Sequence, residues 1–199
     1  MKSYPSIPAK IVRTKSWVFD KIDGSNIRAE WSDKQGFYKF GSRNKLMDEH
    51  HPMLGEAVTL IREKEEQLAS IFSHRKWKRV VAFFEFAGEN SFAGSHEDEE
   101  HTVTLIDVNV YKRGMLEPEL FVELFTEVGT PQLLYKGIIN EQLITDVKRG
   151  TLEGMTFEGV VCKHVRNNIV KLFKVKNRAW IDKLRVKCDG NEALFRRLV

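Results

Sequence analysis

Short runs in which apolar residues are interleaved with polar ones dominate the chain. Segments 10–20, 26–32, 36–41, 79–87, 102–110, 157–164 and 168–176 are rich in β-branched and aromatic residues, which predicts strands. Asp33-Lys34-Gln35-Gly36 and Arg166-Asn167-Asn168 read as hairpin turns between adjacent strands. A longer period appears between Gly55 and Lys76, where Ala57, Leu60, Ile61, Leu68, Ile71 and Phe72 fall on one face, predicting a surface helix packed on a sheet. Further helices are predicted over about 118–128 (Leu120, Phe121, Leu124, Phe125) and after the cap Asn140, with Leu143, Ile144 and Val147 inward. The tail, about 179–198, reads as a helix of weaker amphipathicity. Hairpin strands with segregated helices give an α+β class with antiparallel sheets, not a doubly wound βαβ fold.

Composition narrows the possibilities. A chain of 199 residues with 42% hydrophobic content can bury a sizeable core and fits one domain, 1–199. No run of about 18 apolar residues occurs and MKSYPSIPAK lacks a secretory signal's apolar middle, so a soluble cytoplasmic protein with no membrane partner is expected. Cys162 and Cys188 lack CxxC spacing and read as reduced structural thiols. The net charge is only +4, but from Lys163 onward cations far outnumber Asp182, Asp189 and Glu192, a balance suited to phosphate-rich ligands including nucleic acid.

The phosphate-binding loops GxxxxGK[ST] and GxGxxG are absent, so a nucleotide here would be held by side-chain charge. His96 and His101 are five residues apart, about 140° around a helix, and their segment reads as an exposed acidic loop rather than a metal site. Four other segments carry charge inside apolar runs. Lys21-Ile22-Asp23-Gly24-Ser25-Asn26 puts a lysine and an aspartate into a turn. Phe83-Phe84-Glu85-Phe86-Ala87-Gly88-Glu89 places a carboxylate in an aromatic strand, costly unless it meets a ligand or cation. Phe157-Glu158-Gly159-Val160-Val161-Cys162-Lys163 and Val170-Lys171-Leu172-Phe173-Lys174-Val175-Lys176 set Val161 with Lys163, and Lys174 with Lys176, on common strand faces. Together they suit a cleft that holds a polyphosphate between two sheets.

The order KxDGxN, Glu-x-x-Gly in an aromatic strand, EGxVxK and KxK resembles the covalent nucleotidyltransferases, the superfamily of ATP-dependent RNA and DNA ligases and mRNA capping enzymes. Ser42-Arg43 matches an arginine that the family places after its nucleophile. The resemblance implies a nucleotidyltransferase (ATP-grasp-like ligase) fold, with two antiparallel sheets forming a nucleotide cleft flanked by helices. It implies that Lys21 attacks the α-phosphorus of ATP to give lysyl-AMP, assisted by Lys174 and Lys176. Because a lysine of ordinary pKa, about 10.4, is inert at neutral pH, the site is expected to lower that value through Lys174, Lys176, a bound Mg²⁺ and partial burial. Asp23, Glu85 and Glu158 are implied as carboxylates for Mg²⁺ or Mn²⁺, largely through water. Ile22, Asn26, Arg43, Glu85, Val161 and Lys163 are implied as nucleotide contacts, Lys163 also favouring transfer of AMP to an RNA 5′-phosphate. The family often clamps adenine with an aromatic in the strand after Glu-x-x-Gly, whereas residues 102–108 here contain none.

Within the superfamily, 23 residues follow Lys176, too few for the OB-fold domain of DNA ligases and capping enzymes, so no accessory domain is expected. Asn26 stands where capping enzymes more often carry arginine. The expectation is a minimal ATP-dependent RNA ligase acting on 5′-phosphate and 3′-OH ends, with nicked duplex a possible substrate and an accessory protein a possible partner. The alternatives are a DNA nick-sealing ligase, a guanylyltransferase and a non-catalytic RNA-end-binding module.

Overall fold

The computed structural model describes residues 1–91 and 96–199, the side chain of Arg197 aside. Ten strands among these residues form two antiparallel sheets. The smaller has the order β10 (Ile169–Lys176), β9 (Gly159–Arg166), β1 (Lys15–Asp20), β8 (Leu133–Ile138). The larger has the order β4 (Leu46–Met47), β3 (Gly36–Ser42), β2 (Ser25–Ser32), β5 (Arg79–Ala87), β6 (Thr102–Val110), β7 (Gly114–Met115). The helices are α1 (Gly55–Glu63), α2 (Glu65–His74), α3 (Pro118–Gly129), α4 (Glu141–Arg149), α5 (Arg178–Lys187) and α6 (Glu192–Leu198). This is the α+β, two-sheet architecture expected from the sequence. No helix among the described residues is long and apolar enough to cross a membrane.

Strand alternation divides each sheet into a helix face and a cleft face. On the smaller sheet Val18, Val160, Cys162, Phe173 and Val175 bury against Leu143, Ile144 and Val147 of α4. On the opposite face Phe19, Val161, Lys163, Lys174 and Lys176 line the cleft. On the larger sheet Ile27, Ala29, Trp31, Ala82, Phe84, Leu105 and Val108 pack under α1, α2 and α3. Phe72 of α2 is central there, fully buried with its ring 5.1 Å from that of Trp31 and 6.1 Å from that of Phe125. Burial of one such side chain contributes roughly 2–3 kcal/mol. The cap expected at Asn140 is present, its side chain accepting from the Leu143 N–H at 2.8 Å.

Several elements differ from the sequence expectation. The helix expected over 55–76 is two helices broken at Lys64, whose Nζ donates to the Val128 carbonyl at 3.0 Å and ties the break to the end of α3. The tail helix is likewise divided, by a turn in which Asp189 and Gly190 take left-handed φ of 43° and 76°. Residues 10–14 do not join β1. The unforeseen β8 is an edge strand with no fully buried residue, so its sequence lacks a period-2 signal; it forms because β1 offers a pairing edge.

The first eight residues form a strap between the sheets. Arg28 on β2 donates to the Met1 carbonyl (3.1 Å) and to Ser3 Oγ (2.7 Å). Tyr4 lies 5.0 Å from the Phe83 ring and donates to Asp107 at 2.5 Å. At the far end the Lys174 N–H of β10 donates to the Pro8 carbonyl at 3.0 Å.

Candidate active site

Between the cleft faces lies a cavity of about 300 Å³. Its lining includes Lys21, Ile22, Asp23, Asn26, Arg43, Glu85, Glu158, Val161, Lys163, Lys174 and Lys176, so the structure brings every site residue expected from the sequence to one place. Segments more than a hundred residues apart meet because β1 pairs with β9 (Phe19 opposite Val161) and β9 with β10 (Lys176 opposite Gly159).

Local backbone constraints aim the nucleophile candidate. Past the end of β1 the Lys21 N–H donates to the Gly159 carbonyl (2.9 Å), while the Asp20 carboxylate accepts from the Thr156 N–H (3.0 Å) and hydroxyl (2.9 Å). Gly159 has φ +137°, and a Cβ there would lie 2.2 Å from the Val175 carbonyl oxygen, so only glycine lets β9 begin against β10. At Gly24 a Cβ would lie 2.4 Å from the Phe86 carbonyl, which explains the glycine of the KxDG turn by close approach rather than by dihedral angle.

Glu158 is the centre of the charge arrangement. Its Oε2 accepts from Lys21 Nζ at 2.7 Å and its Oε1 from Lys176 Nζ at 2.8 Å. Lys176 also sits 3.4 Å over the Trp180 ring and donates to the Leu198 carbonyl (3.3 Å), and Lys174 donates to the Val199 carbonyl (2.5 Å). Burial, then the neighbouring Lys21 and Lys174, push Lys176 down to about 8 against the pull of Glu158. Lys174 is also lowered, chiefly by burial and then by Lys21. Glu85, on β5 opposite Asn26, is raised to about 7, by burial first, with Lys21 opposing and Glu158 reinforcing.

Lys21 itself departs from expectation. Burial lowers its pKa, but Glu158, Glu85 and Asp23 outweigh that effect and hold it above the ordinary lysine value. The expected lowering counts on Lys174, Lys176 and a bound Mg²⁺; burial and the two lysines alone do not offset the three carboxylates. In this state Lys21 is an ammonium.

Lys163 stands apart from the Glu158 cluster. It is buried, donates to the Ile106 carbonyl at 2.6 Å, pairs with Asp107 at 2.8 Å, and lies 4.7 Å from the centroids of Phe19 and Phe121. Burial lowers its pKa and Asp107 opposes the shift.

Asp23 and Glu158 are buried oxygen donors suited to a hard divalent cation, yet among the described residues no three His, Cys, Asp or Glu side chains lie close enough to ligate one ion directly. The set fits a cation that keeps most of its water. Asn26 Oδ1, buried without a hydrogen-bond partner on the cavity wall, is a further acceptor open to a ligand.

Other lining residues escaped the sequence reading. Where Phe83 pairs with Asp107 and Phe84 with Leu105, a bulge leaves Ile106 unpaired in the ladder and turns it into the cavity that Val161 also lines. An aliphatic residue thus occupies the wall on which an aromatic was sought. Tyr4 and Trp180 are long-range contributions without a local sequence signal. His96, assigned to an exposed loop, comes within 3.5 Å of Asp23 and 2.7 Å of Glu99.

Comparison with known proteins adds to this geometry. A family model described as RNA ligase matches residues 14–176. No curated protein sequence matches the chain. Solved structures of an RNA ligase from Naegleria gruberi are similar to it. An arginine-to-alanine variant with ATP and Mn has 15% identity and a TM-score of 0.68, over 93% of this chain and 58% of that one. The structure with PPi has 17% identity and a TM-score of 0.66, over 87% and 52%. A lysine-to-alanine variant with ATP and Mn has 18% identity and a TM-score of 0.64, over 86% and 52%. The chain therefore spans little more than half the length of these structures, and at such identities the likeness concerns the fold.

Proposed function

Starting from a chain that belongs to the RNA ligase family, we propose that it is an ATP-dependent RNA ligase whose residues 1–199 form the adenylating unit. Lys21, as the neutral amine, attacks the α-phosphorus of ATP; the bond to pyrophosphate breaks, and lysyl-AMP forms. An RNA 5′-phosphate oxygen then displaces Lys21, giving an adenylated 5′ end. The 3′-OH of the joined end attacks that 5′-phosphorus and releases AMP.

The observation that carries this reading is the Glu158 carboxylate shared between Lys21 and Lys176 at 2.7 and 2.8 Å. It holds the amine and a phosphate-binding cation side by side, as an attack on a bound α-phosphate requires. Lys174 and Lys176 neutralise charge on the phosphate as it builds. Asp23, Glu85 and Glu158 hold a hydrated divalent cation, Mg²⁺ or Mn²⁺, which when bound supplies the positive charge that offsets these carboxylates. Relieved of their pull, Lys21 loses its proton more readily. Ile106, Val161 and Ile22 enclose the base, Asn26 and Glu85 take the ribose, and Arg43 takes phosphate or ribose. The neighbouring structures with ATP, Mn and PPi support the choice of ligands.

Incubation with α-labelled ATP and Mg²⁺, followed by denaturing electrophoresis, should label the wild type covalently and leave Lys21→Ala unlabelled. Labelling of the alanine variant, or labelling by GTP in preference to ATP, would overturn the assignment.

A further inference from the structure

The cleft face of the larger sheet is laid out in rows set by strand register. Asn26 lies opposite Glu85, Arg28 opposite Phe83 and Asp107, and Glu30 opposite Val81 and Asn109. Successive rows on one face are two residues apart, about 7 Å. The first row belongs to the active site. The strap covers the second, through Ser3 on Arg28 and Tyr4 on Phe83 and Asp107. Beyond the strap the third row opens into a second cavity of about 410 Å³, whose walls include Lys2, Glu30, Arg79, Asn109, Tyr111 and Lys112.

Three properties of this cavity converge. Lys2, Arg79 and Lys112 are exposed cations, and Glu30 is the one carboxylate among the lining residues. Tyr111 is 59% exposed, with Arg79 Cζ 5.7 Å and Lys112 Nζ 5.6 Å from its ring centroid. Glu30 is 97% buried, being only 3% exposed, and one of its oxygens lacks a hydrogen-bond partner. Oε1 accepts from Arg79 Nε at 2.5 Å, whereas Oε2 has no hydrogen-bond partner and forms an ion pair with the Met1 amino group at 3.9 Å. Burial works to raise the pKa of Glu30, but Tyr38 and Arg79 overcome it and hold the group below its ordinary value. It is an ionised carboxylate and can only accept. The fitting ligand has an anionic group, a flat π surface and a hydroxyl donor.

We propose that this cavity docks one nucleotide of an RNA strand about two rows, ~14 Å, from the active-site row: its base on Tyr111, its phosphate among Lys2, Arg79 and Lys112, and a ribose hydroxyl donating to Glu30 Oε2. Stacking and phosphate contacts tolerate any sequence, while the hydroxyl contact selects RNA over DNA. The role of the bound strand rests on the ligase reading above; the binding itself does not.

The test is fluorescence anisotropy with a short labelled single-stranded RNA and the DNA of the same sequence, using the full chain and its Tyr111→Ala and Lys112→Asn variants. Asparagine is chosen because residue 112 has φ +64°, which it tolerates. Tyr111→Ala should weaken RNA binding at least about fivefold, and Lys112→Asn should make the logarithmic salt dependence shallower by about 0.7. Both variants should label with ATP at the wild-type rate, which also verifies their fold. RNA affinity unchanged in Tyr111→Ala would overturn the proposal, and equal wild-type affinity for RNA and DNA would remove the hydroxyl contact. Absence of covalent labelling in the wild type, with RNA binding still sensitive to Tyr111, would instead count against the ligase reading alone.

Discussion

The two cleft faces are built by the same alternation but carry opposite chemistry. The smaller sheet presents Lys163, Lys174 and Lys176, and the larger presents Glu30, Glu85 and Asp107. These three cleft-facing lysines bind their protons less tightly than an ordinary lysine, burial being the first cause in each. Lys21 is also buried, yet it binds its proton more tightly, because carboxylates from both sides of the cleft surround it. Burial alone therefore does not set a lysine's acidity here; the balance of charge across the gap does.

The strongest way to break this contrast is Glu158→Gln. An amide cannot balance two ammonium groups, so Lys21 and Lys176 would be left partly buried without their shared anion. Self-adenylation should fall by at least about 10³-fold, since two cations are displaced and each contributes on the order of 10²-fold. Stability should fall by about 3 kcal/mol. Rates from labelled ATP together with a thermal melt decide the matter, and a wild-type rate would count against a role for this carboxylate. Next in size are Lys174→Ala and Lys176→Ala, each expected to slow self-adenylation by about 10²-fold while the protein stays folded. Labelling as fast as wild type in both would remove their assigned part in neutralising the phosphate.

The smallest effect sharpens the comparison from the acidic side. Glu85 has its folded-state pKa raised from 4.5 to about 7, so the folded protein favours the protonated form. That contribution is fully present below pH 4.5 and is lost as pH rises through about 7. Glu85→Gln should therefore gain in melting temperature relative to wild type across this window, at ~2–4 °C per kcal/mol for a chain of this size. A difference that stays flat with pH would show that Glu85 is not shifted.

What could be read from the sequence follows from where the signals are local. β2, β3, β5, β6, β9 and β10 are long enough to repeat their alternation, and the charged residues that interrupt it are the site residues themselves. Glu85, Lys174 and Lys176 stood out because a charge within an apolar strand needs a partner or a ligand, and Lys21 and Glu158 through their places in the ordered set of motifs. The signals that failed were non-local. Tyr4 acquires its place from Asp107, 103 residues away. Ile106 faces the cavity because of a bulge that depends on how β6 pairs with β5. The acidity of Lys21 depends on three carboxylates from different segments, and the sign of their sum is a matter of distances.

The Glu158 bridge has a consequence for chemical selectivity. Electrophiles met in solution, such as cyanate, aldehydes and acyl phosphates, react with free amines and not with ammonium groups. By keeping Lys21 protonated until a ligand redistributes the charge, the bridge shields the amine from adventitious damage. Peptide mass spectrometry after cyanate exposure should find Lys21 among the last lysines carbamylated in the intact protein, and among the earlier ones in Glu158→Gln.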